Sequence, residues 1–153
     1  MTTPGQLKEL ENAAKARDIM VSTHIALRAD DIMPAIDAAL STGAQALNVL
    51  ASSLFNRYRT QIIERMAVAR LPAIYQWPET AEEGGLVAYG PRFVALYRQH
   101  ALQAAKVLNG TKPADIPIEQ PTKFELVINL KAVKALGITV PPSLLIRADE
   151  VIE

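Results

Sequence analysis

The side chains best suited to chemistry fall in three short stretches: Ser52, Ser53 and Phe55 in ASSLF, Gln76, Trp77 and Glu79 in QWPE, and Tyr89 and Gly90 in AYGP. Thr23-His24 forms a sparser fourth group. Hydroxyls, an amide, a carboxylate and aromatic faces are the components of a binding site for a small polar or zwitterionic solute. In such a site Glu79 would receive an ammonium, and Ser52 or Ser53 a carboxylate. The same residues also suit structural work. Ser52 and Ser53 stand where an N-cap is wanted, Trp77 before Pro78 can pack a loop, and Glu79, Glu82 and Glu83 read equally as a solvated acidic loop.

Catalysis finds no support in the pattern. No G-x-S-x-G elbow surrounds Ser52 or Ser53, and His24 and His100 have no acid in a recognisable relation to them. The two histidines also lack ligand-like neighbours, so neither a metal nor any other cofactor is expected. Gly84-Gly85 belongs to neither a GxxxxGK[ST] nor a GxGxxG motif, which removes the phosphate-loop reading. A flavodoxin-like nucleotide-binding enzyme domain is the rival on fold alone, and it lacks a catalytic constellation.

The elements that must position these side chains alternate along the chain. Thr3-Pro4 opens a helix over residues 4–16, with Leu7, Leu10, Ala13 and Ala14 on one face. Ile19–Ser22 reads as a strand. Asp30 or Asp31 caps a helix facing inward through Ile32, Ala35, Ile36, Ala39 and Leu40 and closed by Gly43, with Pro34 in its first turn. Ala46–Ala51 is the next strand, Arg57–Ala69 a helix with Ile62, Ile63, Met66 and Ala67 inward, and Leu71–Tyr75 a third strand. Short apolar strands joined by helices predict an α/β fold, three-layer αβα around a mostly parallel sheet. Ligand would then sit beyond the carboxyl ends of the strands, where the site stretches fall.

Beyond Tyr75 the pattern changes. QWPETAEEGG reads as a loop, LVAYG as a short strand, and Pro91–Leu108 as a long helix ending at Asn109-Gly110. TKPADIPIEQPTK, with three prolines, reads as an extended connector. Phe124–Ile128 is a strand, Leu130–Leu136 a helix stopped by Gly137, and SLLIRADEVIE a final helical turn or two.

Composition sets the outer limits. The chain has 153 residues, half of them hydrophobic, enough for one ordinary core. Sixteen Lys and Arg balance sixteen Asp and Glu, so no net field draws it to nucleic acid or an anionic membrane. It has no cysteine, which excludes a disulfide framework and thiolate metal sites. The first residues lack the apolar core of an export signal, so the chain as written reads as cytoplasmic.

LPAIYQWPETAEEGG, GGLVAYGP and KPADIPIEQPTKFELVINLKAVKALGITVPPSLLIRADEVIE closely resemble the carboxy-terminal part of ABC transporter substrate-binding proteins, a family with the type I periplasmic-binding-protein fold. The resemblance runs from about Leu7 to Glu153. It implies a non-enzymatic solute-binding component of an importer, periplasmic, with an ABC permease as partner and a small solute such as an amino acid in a cleft between two lobes. It places Ser52, Ser53, Phe55, Gln76, Trp77, Glu79, Tyr89 and Gly90 at that cleft. Where many relatives carry P-D-P, this chain has Ala51-Ser52-Ser53, and any contact made by that aspartate is missing. The expected organisation is residues 4–90 as a partial second lobe and 91–153 as crossover helix, connector and a strand-helix segment returning to the first lobe.

Members of the family are about twice this length, so the chain reads as a truncated form. The 124–128 strand is then expected to lack its usual sheet, and to fold onto the remaining strands or to pair with a second copy as a homodimer. A self-associating remnant without transport activity is the alternative reading.

Overall fold

The computed structural model describes residues 4–153. The chain divides into two compact units, Met1–Ala73 and Ile74–Glu153.

In the first unit, helix α1 spans Pro4–Lys15 and turns Ala14 inward. The capping role expected of Thr3 lies outside the described residues. After α1 the chain turns through Asp18 in the left-handed region (φ 53°), and the Ile19 N–H closes the helix end by donating to the Ala14 carbonyl. The strand expected at Ile19–Ser22 is not formed. Those residues join no ladder, and Met20 is 98% exposed. Propensity for strand is realised only when a neighbouring backbone supplies the other half of the ladder.

Helix α2, Ala29–Ser41, starts earlier than the sequence suggested, with Arg28 rather than an aspartate as its N-cap. Asp31 instead acts from the third helical position, its Oδ2 accepting the N–H groups of Leu27 (3.0 Å) and Arg28 (2.9 Å). This reaches back to two donors that the first turn leaves unpaired. The earlier start puts Pro34 inside the helix rather than in its first turn. Ile32, Ile36 and Ala39 form the buried face. Strand β1, Leu47–Val49, follows, and the Leu47 N–H donates to the Pro72 carbonyl at 2.9 Å.

A short helix not expected from the sequence, α3, Ser53–Arg57, precedes the expected one, which forms as α4, Arg59–Ala69, with Ile62 and Met66 buried but Ala67, expected inward, exposed. Tyr58 separates them, serving as C-cap of one and N-cap of the other. Arg65 on α4 pairs with Asp37 on α2 at 2.5 Å.

The second unit is built on a sheet. Strand β2, Ala73–Tyr75, begins on the last residue of the first unit. Then come α5 (Pro78–Glu82), β3 (Val87–Gly90), α6 (Phe93–Leu108), a single 3-10 turn at Pro113–Asp115, β4 (Glu125–Asn129), α7 (Leu130–Leu136), α8 (Pro142–Ile146) and β5 (Glu150–Ile152). β2 pairs with β3 in parallel, β3 with β4 antiparallel, and β4 with β5 in parallel. The result is a mostly parallel sheet of α/β character. Ala88, Val127 and Ile128 are its most deeply buried residues, and Ala81 on α5 is buried as fully.

Three sequence expectations are corrected here. QWPETAEEGG is not all loop, because Pro78 at the first helical position starts α5. The Pro-rich connector includes the turn at Pro113–Asp115. The last stretch is α8 followed by a strand, β5, rather than helical turns alone.

β5 also settles what the 124–128 strand pairs with. β4 runs between β3 and β5, with Val127 opposite Ala88 on one side and Glu150 on the other. It is not an orphan edge, and a homodimer formed by pairing along this strand has no free edge to use. The junction from β4 into α7 is tied down by Asn129, whose Nδ2 donates to the Ala81 carbonyl (2.9 Å) while Oδ1 caps α7 by accepting the Ala132 N–H (3.2 Å).

Candidate functional site

β2 and β3 are parallel, so their carboxyl ends lie side by side, and Tyr75 pairs in register with Ala88. The residues that follow, Gln76 and Trp77 after β2 and Tyr89 and Gly90 at the end of β3, are brought together at one end of this ladder. The approach is close. A Cβ on Gly90 would stand 1.9 Å from the Gln76 carbonyl oxygen, so only glycine fits.

Trp77 stands at the N-cap position of α5 and stacks on Phe93, with ring centroids 4.4 Å apart and planes at 22°. Phe93 in turn neighbours Tyr97 at 6.1 Å, one helical turn along α6. Glu79 lies on the first turn of α5, and its Oε1 accepts the Phe93 N–H at 2.9 Å. That bond satisfies a free donor at the start of α6, where a carboxylate is also favoured by the helix dipole. The other oxygen, Oε2, is buried without a hydrogen-bond partner. Tyr89 points the opposite way from the buried Ala88 and Gly90, is 53% exposed, and pairs with Phe124 at 5.8 Å. Phe93 and Phe124 are absent from the residues expected at the site. An aromatic at the start of a long helix, with Tyr97 four residues on, was the available signal for Phe93.

Arg92, between β3 and α6, holds three carboxylates: Glu82 at the end of α5, Glu125 on β4 at 2.5 Å, and Glu150 on β5. Glu82, and then Glu125, hold its guanidinium well above its ordinary pKa. Lys123 adds a further contact to Glu125 at 2.6 Å. The Lys123 ammonium, and then the Arg92 guanidinium, keep the Glu125 carboxyl below its usual range. Because the folded value is depressed, Glu125 contributes stability above its unfolded pKa, near 4.5, and loses it as pH falls through the folded value. The thermal midpoint should therefore drop as pH is lowered below about 4.5, and Glu125→Gln should flatten part of that drop. A circular-dichroism melt series from about pH 6 to pH 3 checks this. Identical profiles for the two proteins would contradict it.

In the first unit, Ser52, Ser53 and Phe55 lie together at the start of α3. Ser52 is its N-cap, with Oγ accepting the Leu54 N–H at 3.2 Å. Ser53 is exposed, and Phe55 lines a cavity of about 70 Å³ together with His24, Ile32, Val49 and Ile62. His24 Nε2 is 3.0 Å from Ser22 Oγ. Among the described residues no group of His, Asp and Glu is arranged to hold a metal ion.

A parallel ladder whose strand ends carry the polar and aromatic side chains belongs to the class of α/β folds that take ligands beyond the carboxyl edge of the sheet. The ABC transporter substrate binding protein family matches residues 3–152, and the chain belongs to that family. The resemblance carried by GGLVAYGP and the KPADIPIEQPTK segment is thereby confirmed. Solved structures agree on the fold. A conserved domain protein from Vibrio cholerae O1 biovar El Tor superposes with a TM-score of 0.86 at 23% identity, over 96% of this chain and 49% of that one. An ABC domain from Streptococcus pneumoniae in complex with L-Trp gives 0.86 at 24% identity, over 97% of this chain and 50% of that one. A ligand-free, open substrate-binding protein with adhesive properties from Clostridium difficile gives 0.64 at 20% identity, over 97% and 49%. The chain thus spans about half the length of the solved structures it matches. No curated protein sequence matches it significantly. Among the described residues no helix is long and apolar enough to cross a membrane.

Proposed function

We propose that this chain serves in solute capture for an ABC-type importer and takes a small polar organic solute bearing an ammonium group, such as an amino acid. Family membership supplies the class of function. One observation points to the ligand: the buried, unpartnered Oε2 of Glu79, beside the Trp77–Phe93 stack. A carboxylate oxygen withdrawn from water without a partner carries a desolvation cost that an ammonium donor offsets. Glu79 accepts that ammonium, and the aromatic faces beside it take the apolar part of the solute. The L-Trp complex of the similar pneumococcal domain supports an amino acid as the solute class. Non-enzymatic binding, closure of two lobes over the solute, delivery to an ABC permease and work outside the cytoplasmic membrane belong to the same proposal.

Calorimetric titration with a panel of L-amino acids, each beside its N-acetyl derivative, tests the reading. Saturable heats are expected for the free amines only. Glu79→Gln keeps an oxygen for the Phe93 N–H but removes the charge, and should weaken binding roughly ten- to a hundredfold. Equal binding of the N-acetyl compounds, or no heat across the panel, would overturn it.

A further inference from the structure

The orphaned oxygen of Glu79 has to be kept where it is. A buried carboxylate oxygen without a partner costs free energy, and rotation of an unrestrained side chain would return it to water. The other oxygen, Oε1, accepts the Phe93 N–H, so the carboxylate is only as fixed as α5 is against the start of α6. α5 has five residues, too few to hold an orientation by itself. Its first end is tied to α6 by the stack of Trp77 on Phe93.

Arg92 ties the other end. Glu82 closes α5 one turn after Glu79, and Arg92 holds it through Nη1. The same guanidinium reaches Glu125 on β4 through Nε at 2.5 Å, and Glu150 on β5 through Nη2. Arg92 is also the N-cap of α6, but its side chain makes no cap there, and Phe93 is the next residue. A closed circuit results: Glu79 to the Phe93 N–H, one peptide back to Arg92, across to Glu82, and along one helical turn to Glu79 again. β4 and β5 anchor that circuit to the sheet. We propose that Arg92 is a positioning residue for the solute site and acts through Glu79, a role that rests on Glu79 being the ammonium acceptor. Guanidinium suits the task because its planar fork holds several carboxylates at fixed angles. Lysine supplies the charge without the fork.

The consequence is preorganisation. A carboxylate already aimed at its ligand has little freedom left to lose on binding, so cutting the circuit should weaken binding without removing an atom that touches solute. Electrostatics alone predicts the reverse. A cation near the site repels an ammonium, and removing it should tighten binding. A loss of affinity on changing Arg92 therefore separates positioning from charge.

Trp77 is the sole tryptophan, so its fluorescence reports on the junction of α5 and α6 without any ligand. In the ligand-free protein Arg92→Lys, and independently Glu82→Ala, should shift Trp77 emission to longer wavelength and increase its quenching by acrylamide. Arg65→Lys, at the Asp37 pair of the first unit, should do neither. In calorimetric titration with free L-amino acids, Arg92→Lys should weaken binding by roughly tenfold. Added to Glu79→Gln it should weaken binding no further, because the two residues act as one unit. Unchanged Trp77 emission and quenching in both Arg92→Lys and Glu82→Ala, or additive losses in the double variant, would overturn the role. Absence of amino-acid binding by the unmodified chain would overturn the ammonium reading and the solute role with it. The fluorescence arm would then separately decide whether Arg92 holds the junction.

Discussion

Gly90→Ala is expected to be among the most damaging single-methyl additions in the protein. The new Cβ would lie 1.9 Å from the Gln76 carbonyl oxygen, a backbone atom that cannot swing aside. Gly90 is also held on its other side, paired with Glu125 in the β3–β4 ladder. Relief requires β2 and β3 to part at their carboxyl ends, at a cost of about 3 kcal/mol, the upper end of overpacking effects. For a chain of this size that lowers the melting temperature by roughly 10 °C. Gly43→Ala provides the comparison. Gly43 has φ +78° and nothing within 4 Å of its would-be Cβ. Its cost is only that of a left-handed backbone, about 1–2 kcal/mol. Equal losses for the two variants, followed by Trp77 fluorescence during urea unfolding, would sink the close-approach argument.

Ile128→Ala should cost about as much or more by the opposite mechanism. The side chain is 1% exposed on the interior strand β4, between Val87 of β3 and Val151 of β5. Deleting three carbons there removes buried area and leaves a cavity that paired strands on both sides cannot close. Ile→Ala changes of this kind cost about 2–5 kcal/mol, and a rigid surround favours the upper half. Ile138→Ala, at a residue 37% exposed, should cost far less. A stability loss for Ile128→Ala under about 1 kcal/mol would mean that β4 is not the centre of this core.

How far the sequence revealed these features depended on whether local or distant residues decide them. α2, α4 and α7 were readable because their periodic apolar faces and their stops, Gly43 and Gly137, lie within the segment itself. β1 to β4 were found within a few residues, since each is an apolar run between turn signals. β5 was missed because three residues, Glu150–Ile152, hold no local signal and become a strand only through β4. The opposite error occurred at Ile19–Ser22, where a good local signal meets no ladder partner. At the candidate site, placement of Gln76, Trp77, Tyr89 and Gly90 at strand ends followed from the βαβ pattern. The Trp77–Phe93 stack joins positions 16 apart, and the three-carboxylate clasp of Arg92 spans up to 58 residues. No window along the chain contains such relations.

The span of that clasp bears on how the protein is made. Arg92 gains its third carboxylate from Glu150, and β4 its second neighbour from Glu150–Ile152. Until Glu150–Ile152 dock, β4 has only β3 beside it and Arg92 only two of its carboxylates, so folding passes through a stage in which one edge of β4 is open to pairing with another chain. Refolding yield should therefore fall as protein concentration rises.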